Sequence, residues 1–257
     1  MNEIIGENTF YNYGLVSWIG LSIITFIFLI IRKPKTYGRH IIKDTLSINN
    51  ILGWFLMELP TVILVPYFFL QGSLDYNLVT LSFISLYMMH YINRVFVFPF
   101  RIRTRAKRIP LLVVMSAIIF NVFNTYFIAY YFGNLSPNYD ISWFYSPYFI
   151  IGFILFIVGA YINNQSDTIL INLRKDAENG YKVPFGGLFK YVSCPNHLGE
   201  IIEWIGFAIL SWSLPTFAFA LWTIANLLPR AIQHHDWYHN NFEDYPKDRK
   251  AVFPYLL

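Results

Sequence analysis

Residues 198–229 read LGEIIEWIGFAILSWSLPTFAFALWTIANLLP, an apolar block too long for one membrane crossing and interrupted once, at SWSLP (211–215). Pro215 cannot continue a helix, because it lacks the N–H and its ring collides with the preceding turn. The block therefore reads as two spans, 198–213 and 214–229. Working outward, apolar runs at 11–31, 48–70, 77–100, 110–133 and 142–162 each approach the ~20 residues a helix needs to cross a bilayer. The whole chain has 257 residues, 56% hydrophobic, 20% aromatic and 13% charged. A soluble domain carries about a quarter charged residues, so this composition excludes an ordinary soluble globule. The expected fold class is all-α, a seven-transmembrane-helix bundle forming a single domain over 1–257.

Charge placement supports an odd count. The chain has 19 Lys and Arg, and all but one fall in 32–43, 101–108, 174–190 and 230–250; segments 1–10, 71–76, 134–141 and 211–215 have none. The positive-inside rule then puts the N-terminus outside and the C-terminus in the cytosol. The net charge of +4 follows from topology and calls for no nucleic acid. The first apolar run is long and followed by RKPK, the wrong flank for a cleaved signal peptide. Cys194 is the sole cysteine, which excludes an intramolecular disulfide or a cysteine-built metal site. An integral multi-pass protein of a bacterial inner membrane or the endoplasmic reticulum is expected.

The leftover basic residue is Arg94, inside the third run in MMHYINRVFVF (88–98), with His90 and Tyr91; Glu58 lies inside the second, in GWFLMELP (53–60). Each charged group at a helix centre costs ~2.5–3.5 kcal/mol on insertion scales, so these residues need a reason. One reading is an internal ion pair, Glu58 with Arg94 or His90, locking two helices. The other is a polar cavity in which a desolvated carboxylic acid sits beside a phenol able to donate a proton.

A second set lies at the cytosolic edge. Asn163, Asp167 and Arg174 in YINNQSDTILINLRKD (161–176), Asn196 and Glu200 in CPNHLGEIIEWIG (194–206), and Arg230, His234 and Tyr238 in RAIQHHDWYHNNFEDYP (230–246) recur at helical spacing. Neutral hydrogen-bonders with an occasional Arg suit ribose, amide and phosphate groups. Glu203 belongs to the same network or pairs with a basic neighbour. No GxGxxG or GxxxxGK[ST] occurs. His234, His235 and His239 lack an acidic partner motif such as HExxH, and no metal is expected. FGGL (185–188) reads as a turn.

FGGLFKYVSCPNHLGEIIEWIGFAILSWSLP (185–215) and FEDYPKDRKAVFPYLL (242–257) resemble the C-terminal region of the steroid 5α-reductases, the 3-oxo-5α-steroid 4-dehydrogenases. The resemblance extends upstream through YGRH (37–40), ELP (58–60), HYINRVFVF (90–98) and NNQSDTILINLRK (163–175). It implies a seven-helix membrane enzyme that uses NADPH to reduce the C4–C5 double bond of a 3-oxo-Δ4 steroid, with hydride delivered to C5. Glu58 and Tyr91 match the residues that bind the 3-oxo oxygen, where donors would stabilise developing negative charge. Met57 and Arg94 fall on the substrate side, Met57 standing where animal members have Gln. Cofactor contacts carry over to Tyr37, Asn163, Asp167, Arg174, Asn196, Glu200, Trp204, Arg230, His234 and Tyr238. A phosphate-binding Arg is left open among Arg103, Arg105 and Arg108.

The partners implied are a steroid or other enone entering from lipid, and membrane lipids; no nucleic acid and no obligate protein partner are expected. Two other enzyme readings stay open: a reductase of trans-2-enoyl-CoA or sterols, and an S-adenosylmethionine-dependent membrane methyltransferase. A transporter lined by Glu58 and Arg94 is the non-enzyme reading.

Overall fold

The computed structural model describes residues 2–33, 46–74, 77–102, 108–173 and 181–257, with side chains described from residue 9 in the first segment. Helices dominate. Among the described residues five are long and apolar enough to cross a membrane, Thr9–Arg32, Asn50–Leu70, Leu78–Arg101, Leu111–Leu135 and Pro147–Leu173, and they mark a multi-pass membrane protein. The chain divides into two compact units, Met1–Leu15 with Pro34–Ser146, and Val16–Lys33 with Pro147–Leu257. Helix α1 (Asn2–Arg32) contributes to both.

In the first unit, two three-residue strands depart from the all-α expectation. β1 (Ser47–Asn49) pairs antiparallel with β2 (Arg108–Pro110), Ile48 opposite Ile109. Arg108 adds side-chain bonds to the Oγ and main-chain carbonyl of Ser47. Runs this short lie below any period-2 signal in sequence. Their effect is to set two helix starts side by side. Asn49 caps α2 (Asn50–Leu70), its Oδ1 accepting from the N–H of Ile51 and Leu52. β2 leads directly into α5 (Leu111–Thr125). Gly53 lets α2 close on Ile109, since a Cβ there would lie 2.3 Å from the Ile109 side chain.

α3 (Leu78–Ile92) is capped by Asn77, which accepts from Thr80 N at 2.9 Å. It then passes through a π-helical turn, Asn93–Val97, into the short α4 (Phe98–Arg101). α5 likewise continues as a π-helical segment, Tyr126–Leu135. Tyr11 of α1 donates to Phe127 O of that segment at 2.6 Å.

The second unit is built on α6 (Pro147–Leu173), α7 (Pro195–Ser211) and α8 (Leu214–Asn241). α6 and α7 meet antiparallel along glycines. A Cβ on Gly152 would lie 2.3 Å from Leu210 N, and one on Gly159 2.3 Å from Glu203 N. From the other side, a Cβ on Gly199 would lie 2.4 Å from Asn163 N, and one on Gly206 2.4 Å from Phe156 N. Small residues of this kind let backbones approach where lipid offers no hydrophobic drive between helices.

Two helix ends differ from the sequence reading. α6 runs on from 162 to Leu173, with Asn163 and Asp167 of the polar run NNQSDT bonded to α7. α8 carries Pro229 inside it and extends to Asn241. The break between α7 and α8 falls where expected, with Trp212 in the left-handed region (φ 47°, ψ 48°) and Pro215 in the first turn of α8, where its missing N–H does no harm. Hydroxyls of Ser211 and Ser213 both bond Thr216 Oγ1 at 2.8 Å across that corner. FGGL forms the expected turn, with Gly186 at φ 94° and Gly187 at φ 49°. Beyond α8 the chain returns to pair with 191–194, Ser193 N donating to Lys250 O at 2.8 Å and Cys194 N to Ala251 O at 3.1 Å. Cys194, Leu198, Ile201, Ala231, Ala251 and Val252 form the core there.

Gly159→Ala is expected to lower the thermal unfolding midpoint of the detergent-purified protein, since overpacking costs roughly 1–3 kcal/mol and the obstacle here is backbone. Gly20→Ala on α1, with nothing within 4 Å of the added methyl, is expected to leave the midpoint unchanged or raise it. Equal midpoints for the two variants would contradict the seam.

Candidate functional site

Two polar constellations stand out, one in each unit. In the first, α2 carries Glu58 and α3 carries Tyr91, with Arg94 in the π-helical turn. Glu58 Oε1 lies 3.9 Å from Arg94 Nε, a loose ion pair whose side chains are only 15% and 11% exposed. The guanidinium is held between rings, 4.8 Å from Trp54 and 4.4 Å from Phe98, a cation–π setting that offsets part of its desolvation. The Glu58–Arg94 pairing anticipated from sequence is therefore present, and it leaves Oε2 to another partner.

That partner is Asn121 of α5. Its Nδ2 donates to Glu58 Oε2 at 3.2 Å and to Met57 O at 2.7 Å. One turn along, Asn124 Nδ2 lies 3.1 Å from Tyr87 OH. Tyr87 is fully buried; its hydroxyl also engages that of Tyr91, and the two rings stand 4.8 Å apart. The His90 ring is 5.3 Å from Tyr91. The Met57 side chain is buried against Ile109 and Val114.

Asn121, Asn124 and Tyr87 went unread in the sequence. The available signal was the pair of asparagines three apart in FNVFNTYF (120–127), inside an otherwise apolar span. A buried carboxamide in such a span needs partners.

In the second unit the glycine seam sets Asn163 and Asp167 of α6 against the first turns of α7. Asn163 Nδ2 donates to Asn196 O at 3.0 Å and to Glu200 Oε2 at 3.4 Å, and Asn196 Nδ2 donates to Asp167 Oδ1 at 3.4 Å. These four residues, chosen from helical spacing alone, form one network of amides and carboxylates. Glu203 is 2% exposed, with its backbone in the seam. Trp204 packs on Phe219 and Phe156 at ring distances of 4.4 and 6.1 Å.

Arg230, His234 and Tyr238 follow one another at single turns of the unbroken α8. The His234 ring lies 5.9 Å from that of His197, whose Nδ1 is 3.2 Å from Leu227 O. Tyr238 is buried and stacks on Tyr245 at 5.2 Å. Tyr37, Arg174, Arg103 and Arg105 lie outside the described residues, so the shared face of Asn163, Asp167 and Arg174 is visible for its first two members. Among the described residues no three His, Cys, Asp or Glu side chains converge as a metal would require.

A clasp outside both sets of expected residues ties the C-terminal part of α8 to the segment before α7. Ser193 Oγ sits 2.6 Å from His235 Nδ1 and 2.6 Å from Tyr245 OH. The His239 ring lies 4.5 Å from that of His235. Burial pushes the His235 pKa below its ordinary 6.5, helped by the His239 and Lys250 charges and opposed by Asp236. The folded state thus prefers neutral His235. Its contribution to stability is complete above pH 6.5 and is lost as pH falls from there through the lower folded value. The thermal midpoint of the wild type relative to His235→Gln is expected to fall between pH 7.5 and about 5.5; a difference that does not change with pH would remove His235 from the clasp.

The family model of 3-oxo-5-alpha-steroid 4-dehydrogenase matches residues 107–257. Steroid 5-alpha-reductase DET2 of Gossypium hirsutum is 38% identical over 255 residues, covering 97% of this chain and 98% of that protein. The 3-oxo-5-alpha-steroid 4-dehydrogenase 1 of Rattus norvegicus is 44% identical over 207 residues, 80% of this chain and 79% of its own. The human protein of that name is 40% identical over 226 residues, 87% and 86%.

Proposed function

The chain belongs to the 3-oxo-5-alpha-steroid 4-dehydrogenase family, and from that premise we propose that it is a membrane oxidoreductase that reduces the C4–C5 double bond of 3-oxo-Δ4 steroids. The observation that carries the reading is similarity to a steroid 5-alpha-reductase along 97% of the chain. The first-unit constellation supports it, because the chemistry of an enone needs donors aimed at its oxygen.

In this reading Glu58 and Tyr91 bind the 3-oxo oxygen and stabilise the negative charge that gathers there. The apolar surroundings exclude water, which strengthens each of those hydrogen bonds. Arg94 and Met57 shape the substrate side. The cofactor is NADPH. Its fit is judged on the second-unit network, where two carboxamides suit the amide headgroup and two carboxylates suit ribose hydroxyls. Asn163, Asp167, Asn196 and Glu200 would hold those groups, Arg230, His234 and Tyr238 would extend the contact along α8, and Trp204 would back it. Tyr37 and Arg174 are assigned to the same role by family resemblance. Those residues would hold the cofactor, which would supply the hydride taken up at C5, while C4 would take its proton from water or a relay.

For topology we infer seven spans in one membrane domain, adding α7 and the apolar part of α8, with the N-terminus outside and the C-terminus cytosolic. The basic clusters of the sequence support that orientation. The membrane is a bacterial inner membrane or the endoplasmic reticulum, and the steroid enters from its lipid.

The test is NADPH oxidation by the detergent-purified protein with progesterone, the product identified by mass spectrometry. A 5α-dihydro product is expected; NADPH binding without turnover would move the search to other enones. Glu58→Gln and Tyr91→Phe are each expected to lower kcat by about 100-fold or more, the scale of a lost acid–base group, with NADPH binding intact. Asn196→Ala and Asp167→Ala are expected instead to weaken NADPH binding. Full turnover in Glu58→Gln would return that carboxylate to a structural ion pair.

A further inference from the structure

Asn121 is 4% exposed in the middle of an apolar helix. Burying a carboxamide there is unfavourable unless its groups are bonded. Its nitrogen meets two oxygens, Met57 O at 2.7 Å and Glu58 Oε2 at 3.2 Å. A main-chain carbonyl only accepts, so the amide nitrogen must face this side, and each of its two protons has one oxygen to serve. Pro60 lies three residues beyond Met57 in α2 and withholds the N–H that would bond Leu56 O. At that weakened turn Asn121 supplies a donor to the next carbonyl and, with the same nitrogen, to the carboxyl that follows it.

We propose that Asn121 is the positioning residue of the acid, clipping the Glu58 carboxyl to the α2 backbone so that it meets the enone oxygen in one orientation. The amide bond makes Oε2 the accepting oxygen. When the acid is protonated its proton sits on Oε1, 3.9 Å from Arg94 Nε, and that oxygen donates to the substrate. Asn124 does the parallel task for the phenol, through Tyr87 to Tyr91. α5 thereby orients both donors without touching the substrate itself. The inference rests on Glu58 binding the enone oxygen as proposed above.

The experiment measures kcat and KM with NADPH and progesterone in the full-length wild type, Asn121→Leu, Asn121→Asp, Glu58→Gln and the Glu58→Gln/Asn121→Leu double variant. Asn121→Leu is expected to lose roughly 10- to 100-fold in kcat, the scale of a misplaced catalytic group, with KM changed little. Asn121→Asp has the same shape, so it guards against a folding defect. Its deficit is expected to shrink as pH falls, because only the protonated Asp can donate; a packing role would give a deficit that ignores pH. In the Glu58→Gln background, Asn121→Leu is expected to add almost nothing, since it acts through Glu58. Wild-type kcat in both single variants, or fully additive losses, would overturn the positioning role while leaving Glu58 in place. Full turnover in Glu58→Gln would instead remove Glu58 from the chemistry, and Asn121 with it.

Discussion

The contact on which the second unit depends is between backbones. α6 and α7 approach so closely at Gly152, Gly159, Gly199 and Gly206 that no side chain fits between them. The glycines repeat at seven residues on each helix, two turns, so the approach is continuous and the register is fixed at two levels. From that register the polar network follows without further adjustment. Asn163 lies opposite Asn196 and Glu200 because Gly159 lies opposite Gly199, one turn earlier on α6. The close approach also brings the Asn163 side chain onto the backbone of α7, its Nδ2 donating to Asn196 O at 3.0 Å.

The first unit solves a different problem, that of keeping a carboxylate and a guanidinium inside apolar helices. The direct pair is loose at 3.9 Å, so it supplies only part of the compensation. Arg94 also lies over two aromatic faces, and Glu58 also accepts from a carboxamide on a third helix. Distributing the compensation in this way keeps neither charge wholly committed to the other. A tight bidentate pair would be a better lock and a poorer acid, because a guanidinium held that close favours the ionised carboxylate.

Much of this was readable in the residues. Apolar runs located the five long helices to within a few residues at most ends, and SWSLP located the corner after α7. Helical spacing picked out Asn163, Asp167, Asn196 and Glu200 before any contact was known. What escaped has physical causes. Hydropathy ends where polarity begins, so it stopped at 162, although α6 continues on hydrogen bonds to its neighbour. The apolar block ends at Pro229, while α8 carries that proline in its interior at the loss of one bond and runs on to Asn241. The strands β1 and β2 are too short for a period. Asn121 and Asn124 carry no charge, and attention to charged groups passed over them, although their partners lie 37 to 64 residues away in sequence.

The π-helical turn at Asn93–Val97 has a consequence for how the third span tolerates change. Widening one turn is a phase slip: residues up to Tyr91 keep one angular frame, and residues after Val97 keep another. Arg94 stands in the slip itself, which is how it can lie over Phe98 and Trp54 while remaining beside Glu58. The Phe98–Arg101 end lies beyond the slip from Tyr91, so that end can be retuned with less effect on the orientation of the phenol. A regular α-helix would transmit every such adjustment to the donors.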